Sequence, residues 1–145
     1  MAIITPLTEK LGLDVPVLLA PMAGVSGGAL AAAVTNAGGF GFIGGGYCDR
    51  DWLRREMAAA GNTPAGVGFI AWALEKDPEL IDLVLARRPP AIFLSFGSIG
   101  GFASKIKVAG AALVVQVQSV AEARAAAAEG ADIIVAQGTE AGGHV

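Results

Sequence analysis

Short apolar runs recur along the chain, each closed by glycine, proline or a helix-capping residue. Val15–Ala20, Phe40–Ile43, Ala65–Ile70, Ala91–Ser95, Ala112–Gln116 and Asp132–Gln137 read as six buried strands. Helix patterns lie between them. Ala29–Asn36 is alanine-rich and stops at Ala37-Gly38-Gly39. Asp49 caps a helix through Ala60, which Gly61 ends. Asp77-Pro78 is a cap and first-turn pair for a helix running to Arg88, ahead of Pro89-Pro90. Lys105–Ala109 closes a short helix before Gly110. Ser119-Val120-Ala121-Glu122 is a capping box that opens a helix through Glu129.

The strand ends Ala20, Ile43, Ile70, Ser95, Gln116 and Gln137 fall 21 to 27 residues apart, with one helix pattern in each interval. That spacing predicts right-handed βαβ units and a parallel sheet. An open doubly wound sheet places G-x-G-x-x-G after its first strand. Here the first turn is Pro21-Met22-Ala23-Gly24-Val25-Ser26-Gly27-Gly28, which does not fit. Near-uniform short units favour the α/β fold of the TIM (β/α)8 barrel. A whole barrel takes about 250 residues and eight units. The chain has 145 residues and about six units, an incomplete barrel. Strands 15–20 and 132–137 are then expected to be edges without protective charges, and the isolated chain to be a homo-oligomer, aggregated or partly ordered.

Composition narrows the classes. Hydrophobic residues make up 54% and charged residues 16%, which suits part of a larger body better than a free-standing domain. The net charge is −3 with no basic run, so nucleic acid is not an expected partner. A single Cys48 excludes an intrachain disulfide and multi-cysteine zinc patterns, and no metal site is expected. Residues 15–48 carry no charge, but Pro16, Pro21, Asn36 and many glycines interrupt them, so no membrane span is read. The first ten residues hold Glu9 and Lys10 and no signal-peptide pattern, so a cytoplasmic location is expected.

The candidate chemistry follows the last strand, in Gln137-Gly138-Thr139-Glu140-Ala141-Gly142-Gly143-His144. Paired glycines let backbone approach a ligand, and histidine is the side chain best suited to moving a proton near neutral pH. A lone histidine also serves as an ordinary loop residue, so position decides. This one follows the carboxyl end of a strand, the face on which barrel enzymes work.

Three motifs, Ala20-Pro21-Met22-Ala23-Gly24, the stretch Ala31–Gly41, and Ala136–His144, resemble the nitronate monooxygenases, formerly 2-nitropropane dioxygenases. That family is a flavoprotein barrel that binds FMN and uses O2 to oxidise alkyl nitronates to carbonyl compounds and nitrite. A relative with similar motifs is the FMN-containing enoyl-acyl-carrier-protein reductase, which takes hydride from a nicotinamide cofactor. The resemblance implies that residues 1–145 are the N-terminal part of one FMN-binding barrel domain. It implies His144 as catalytic base or substrate-orienting residue, and Pro21, Met22 and Ala23 against the flavin ring. Gln116 and Gln137 would bond the ring's polar edge, with Gly142 and Gly143 giving backbone access to the cofactor. Gly68 falls where many relatives have a polar residue. Relatives continue past the histidine, and the resemblance puts the FMN phosphate in the later units. The chain is therefore expected to be an oxidoreductase acting on a nitronate or nitroalkane with O2. The alternatives are the reductase activity, or a truncated, non-catalytic piece.

Overall fold

The structure, a computed structural model, describes residues 2–143. In chain order the elements are α1 (Pro6–Leu11), β1 (Leu18–Leu19), α2 (Gly28–Asn36), β2 (Phe40–Gly46), α3 (Arg50–Ala59), β3 (Gly66–Ile70) and α4 (Ala71–Leu74). There follow α5 (Leu80–Leu85), β4 (Ala91–Ser95), α6 (Gly100–Val108), β5 (Ala112–Val117), α7 (Val120–Ala128) and β6 (Ile133–Ala136). All strand pairs are parallel, and the sheet order is β1-β2-β3-β4-β5-β6. A doubly wound sheet reverses its strand order at a switch point. This one never reverses, so it curls progressively into an open part of a (β/α)8 barrel, and the barrel expectation holds.

Alternation along the strands divides the core in two. Ile43, Val67, Phe69, Ile92, Leu94, Leu113 and Val115 face the helices. Phe40, Phe42, Ala91, Phe93 and Val114 face the concave side, where Leu11 and Leu13 from the α1 region pack against them. The aromatic members meet edge-on, with Phe42 at 5.0 Å from Phe40 and 5.3 Å from Phe93 between ring centroids. Edge-to-face geometry suits the ring quadrupoles and adds about 0.5–1.5 kcal/mol per pair beyond burial. The concave side is therefore a filled core below the strands' carboxyl ends, and it supports whatever sits on top.

Local signals in the sequence explain most elements. Asp49 Oδ1 accepts from the N–H groups of Asp51 and Trp52 and starts α3. Ser119 and Glu122 form the reciprocal capping box of α7, at 3.2 and 3.1 Å. Several boundaries differ from the sequence reading. The expected strand 15–20 shrinks to Leu18–Leu19, because Pro16 has no N–H and the Val17 N–H turns back to the Val15 carbonyl at 2.8 Å. β2 continues past Ile43 through Gly44–Gly46, with a bulge against β3. α6, the short helix that Lys105–Ala109 was expected to close, runs from Gly100 to Val108. The expected helix from Asp77 to Arg88 is only Leu80–Leu85. Asp77 does not cap it, because its carboxylate is taken by Arg50, with Nε at 2.7 Å and Nη2 close on the other oxygen. Helix α1 was not expected, although Thr5-Pro6 is a cap and first-turn signature and Thr5 with Thr8 closes a capping box.

Both sheet edges carry exposed apolar side chains, Val17 beside β1 and Ile134 on β6. Among the described residues no helix is long and apolar enough to cross a membrane.

Candidate functional site at the carboxyl ends of the strands

The loop after β1 lies across the ends of β2 and β3. Two glycines make the room. A Cβ on Gly44 would stand 2.3 Å from the Met22 carbonyl oxygen, and one on Gly68 would stand 2.2 Å from Pro21 Cβ. Only a residue without Cβ lets the loop come so close. Buried Ser26 pins it in place. Its Oγ accepts from the Met22 N–H at 2.6 Å and donates to the Met22 carbonyl at 3.1 Å. The result is a fixed apolar surface of Pro21, Met22 and Ala23 in which Met22 and Ala23 face solvent. Sequence reasoning named these three residues. It missed Ser26, which has no signal in a glycine-rich loop.

On the far side of the sheet, β5 and β6 bring Gln116 and Gln137 together. Gln116 Nε2 donates to Gln137 Oε1 at 2.8 Å. Gln118, which the sequence reading did not name, donates its Nε2 to the same oxygen at 3.0 Å. Strand alternation would have found it, since Gln118 lies two residues beyond Gln116 and so on the same side. A cavity of about 330 Å³ opens beside Gln116 and Gln118 and reaches Phe96, Gly97 and Glu122. Between the loop and the amides, Ser95 ends β4 and donates to the Phe69 carbonyl at 3.2 Å. Phe96 and Gly97 follow with φ of 53° and 146°, and the Phe96 carbonyl accepts from the Trp72 N–H at 3.3 Å. A non-glycine residue at positive φ costs energy, and such positions cluster at ligand sites.

Gly142 and Gly143 follow β6 and are exposed. A Cβ at either would meet nothing within 4 Å, and Gly143 has φ of 82°. The backbone here is open to a ligand. His144 lies outside the described residues.

The arrangement suits a flat ligand that needs apolar cover on one side and directed hydrogen bonds at its edge. Pro21, Met22 and Ala23 supply the cover, the glutamines supply the bonds, and the open glycines leave room for a cofactor backbone contact. Thus the residues present fit a flavin ring. Among the described residues no group of three or more His, Cys, Asp or Glu gathers. Cys48 is held toward its protonated thiol form. Burial, then the Asp77 carboxylate, pushes its thiol up to about 11.

The opposite end of the sheet is built for stability. Asp132, at the start of β6, accepts from the Leu113 N–H at 2.9 Å and from Lys107 at 2.9 Å, with Lys10 at 3.4 Å. Partial burial opposes the charged form of Asp132, but the Leu113 N–H and the two lysines together hold its carboxyl below the usual range. A second cavity, about 460 Å³ with Arg87 and Arg88 on its rim, also lies at this end.

Several known proteins are similar to this chain in sequence and fold. The family model described as Nitronate monooxygenase matches residues 4–67 and 62–145. A nitronate monooxygenase of Paraburkholderia phytofirmans is 33% identical over 179 positions, which take in 95% of this chain and 49% of that protein. A (3aS,4S,5R,7aS)-5-hydroxy-7a-methyl-1-oxo-octahydro-1H-indene-4-carboxyl-CoA dehydrogenase of Mycobacterium tuberculosis is 31% identical over 147 positions, covering 99% of this chain and 41% of that protein. The second alignment is thus nearly free of gaps, whereas the first is not. Among solved structures, FabK from Thermotoga maritima superposes with a TM-score of 0.89 at 31% identity, covering 99% of this chain and 47% of that one. A nitroalkane oxidase from Streptomyces ansochromogenes superposes with a TM-score of 0.82 at 30% identity, covering 97% and 50%. The chain spans about half the length of the curated relatives it matches.

Proposed function

The chain belongs to the nitronate monooxygenase family, a family of flavin-type oxidoreductases, and from that premise we propose that it supplies the ring-facing part of an FMN site for the oxidation of alkyl nitronates by O2. In this reading residues 1–145 belong to a single barrel domain. The observation that carries it is the placement of Gln116 and Gln137 at the ends of adjacent strands, hydrogen-bonded to each other, on the same end of the sheet as the seated Pro21-Met22-Ala23 loop.

Pro21, Met22 and Ala23 would cover one face of the ring and keep water from it. Gln116 and Gln137 would orient its polar edge, and Gly142 and Gly143 would let main-chain groups approach. FMN supplies the two-electron acceptor that the oxidation needs, with O2 as the final acceptor. His144 would take the carbon-bound proton of a neutral nitroalkane, or orient a nitronate that has already lost it.

A second reading, reduction or dehydrogenation of an acyl thioester, is favoured by one observation. The match to a protein named for a CoA thioester takes in 99% of this chain over 147 positions, so the loops of this chain are similar in length to those of that relative. Two assays on the purified protein separate the readings. Oxygen consumption with propyl nitronates supports the first. Oxidation of NADH or NADPH that depends on an enoyl thioester, without nitronate turnover, replaces it with the second.

A further inference from the structure

We propose that Gln118 is a positioning residue: by donating to Gln137 Oε1 it holds the Gln137 amide with its nitrogen end turned toward the ligand's edge. The proposal rests on the flavin reading above.

A glutamine amide has one acceptor oxygen and an NH2 donor at opposite corners of a plane. Gln137 Oε1 takes two donors, from Gln116 at 2.8 Å and from Gln118 at 3.0 Å. Two converging bonds hold the oxygen in place more firmly than either does alone. Turning Gln137 over by itself would set its NH2 against two other NH2 groups, so all three amides would have to invert together. Gln118 is exposed, and ordering a long side chain at the surface costs entropy. Its main chain is held for the purpose. The Gln118 N–H donates to Glu122 Oε2 at 2.6 Å, and the same carboxylate oxygen accepts from the Ser119 N–H. The capping box of α7 therefore anchors the backbone from which Gln118 reaches across β5 to β6. Val117, between the two glutamines, is buried in the helix-facing core and keeps both on the other side.

The polarity matches the proposed ligand. An oxidised isoalloxazine edge offers four acceptors, N1, O2, N5 and O4, against one donor, N3–H. An amide held with nitrogen outward suits such an edge better than one free to present either end.

The test uses lumiflavin, which has the ring and lacks the phosphate chain, with flavin fluorescence quenching as the binding signal. Side-chain amide 1H–15N resonances of Gln116 and Gln137, recorded without ligand, are the second readout. Gln118→Leu removes the bond; it should shift the Gln137 resonances and weaken lumiflavin binding about 3- to 10-fold. Gln118→Glu can only accept, so it draws the Gln137 NH2 inward, reverses the polarity and should weaken binding more than Gln118→Leu does. Wild-type affinity and unmoved Gln137 resonances in Gln118→Leu overturn the proposal. Binding by Gln118→Glu that is no weaker than by Gln118→Leu overturns the assigned polarity. Lumiflavin binding lost in Gln137→Leu but intact in Gln118→Leu removes Gln118 while leaving the flavin reading standing. Absence of lumiflavin binding in the wild type sinks the flavin reading itself, and the positioning role with it.

Discussion

Gly68→Ala puts the seating of the ring-facing loop to a direct test. The new methyl would stand 2.2 Å from Pro21 Cβ and 2.4 Å from Pro21 Cγ, with Phe93 Cβ at 3.4 Å on its other side. Carbon atoms in ordinary contact are about 3.5–4.0 Å apart, so Pro21 or β3 must move by more than about 1 Å. Pro21 cannot simply slide, because the next residue is tied to Ser26 through both its N–H and its carbonyl. Nor can β3 yield easily, since it pairs with β2 and β4 on both sides. Overpacking of this kind costs about 1–3 kcal/mol, which for a chain of this size lowers Tm by about 2–12 °C. If Pro21 covers the flavin, the same shift should weaken lumiflavin binding about tenfold, because small misplacements of positioning groups are costly. The decisive comparison is a double-mutant cycle. Pro21→Gly removes the atoms the methyl meets, so Gly68→Ala should cost almost nothing in that background, leaving a coupling of at least about 1 kcal/mol. Thermal unfolding of the four proteins measures it. A Gly68→Ala protein that melts within about 1 °C of wild type, or one that loses as much stability with Pro21→Gly as without it, would refute the reasoning.

Four further outcomes are expected. In the intact enzyme, His144→Ala should spare flavin binding and slow turnover of a neutral nitroalkane about 10²–10⁴-fold, with a smaller effect on a preformed nitronate; wild-type rates on both substrates would remove the base assignment. The Asp132 contacts should stabilise the fold fully above the unfolded carboxylate value of about 3.9 and be lost as pH falls through the lower folded value; an acid-unfolding curve that Asp132→Asn leaves unchanged would contradict this. Cys48 should react with a thiol reagent at pH 7.5 roughly 100-fold more slowly than a free cysteine, because its thiol is pushed up to about 11; labelling at the rate of a small thiol would show the site to be open. The β1 and β6 edges, with Val17 and Ile134 exposed, should drive self-association of the 145-residue chain, and a clean monomer by light scattering would count against it.

The division between sequence and structure follows the range of the forces involved. Helix caps act over three or four residues, so Asp49 and the Ser119–Glu122 box could be read directly and stand where expected. Strand ends are marked by local apolar runs, which is why Gln116 and Gln137 could be placed at the working end of the sheet without coordinates. Six strands with helices between them were likewise legible, because the intervening helix patterns are closed by glycine or proline. What stayed hidden depends on partners far apart in the chain. Asp77 looks like a cap until Arg50, 27 residues earlier, takes its carboxylate. Nothing near Gly44 or Gly68 in sequence says that each makes room for the loop at Pro21 and Met22. Gln118 becomes part of the site only when β6 is laid beside β5 and its amide finds Gln137, 19 residues on. The order of the strands, which separates a curling barrel from an open doubly wound sheet, is a matter of pairing between segments. Local propensity carries no term for that pairing, and only the packed sheet decides it.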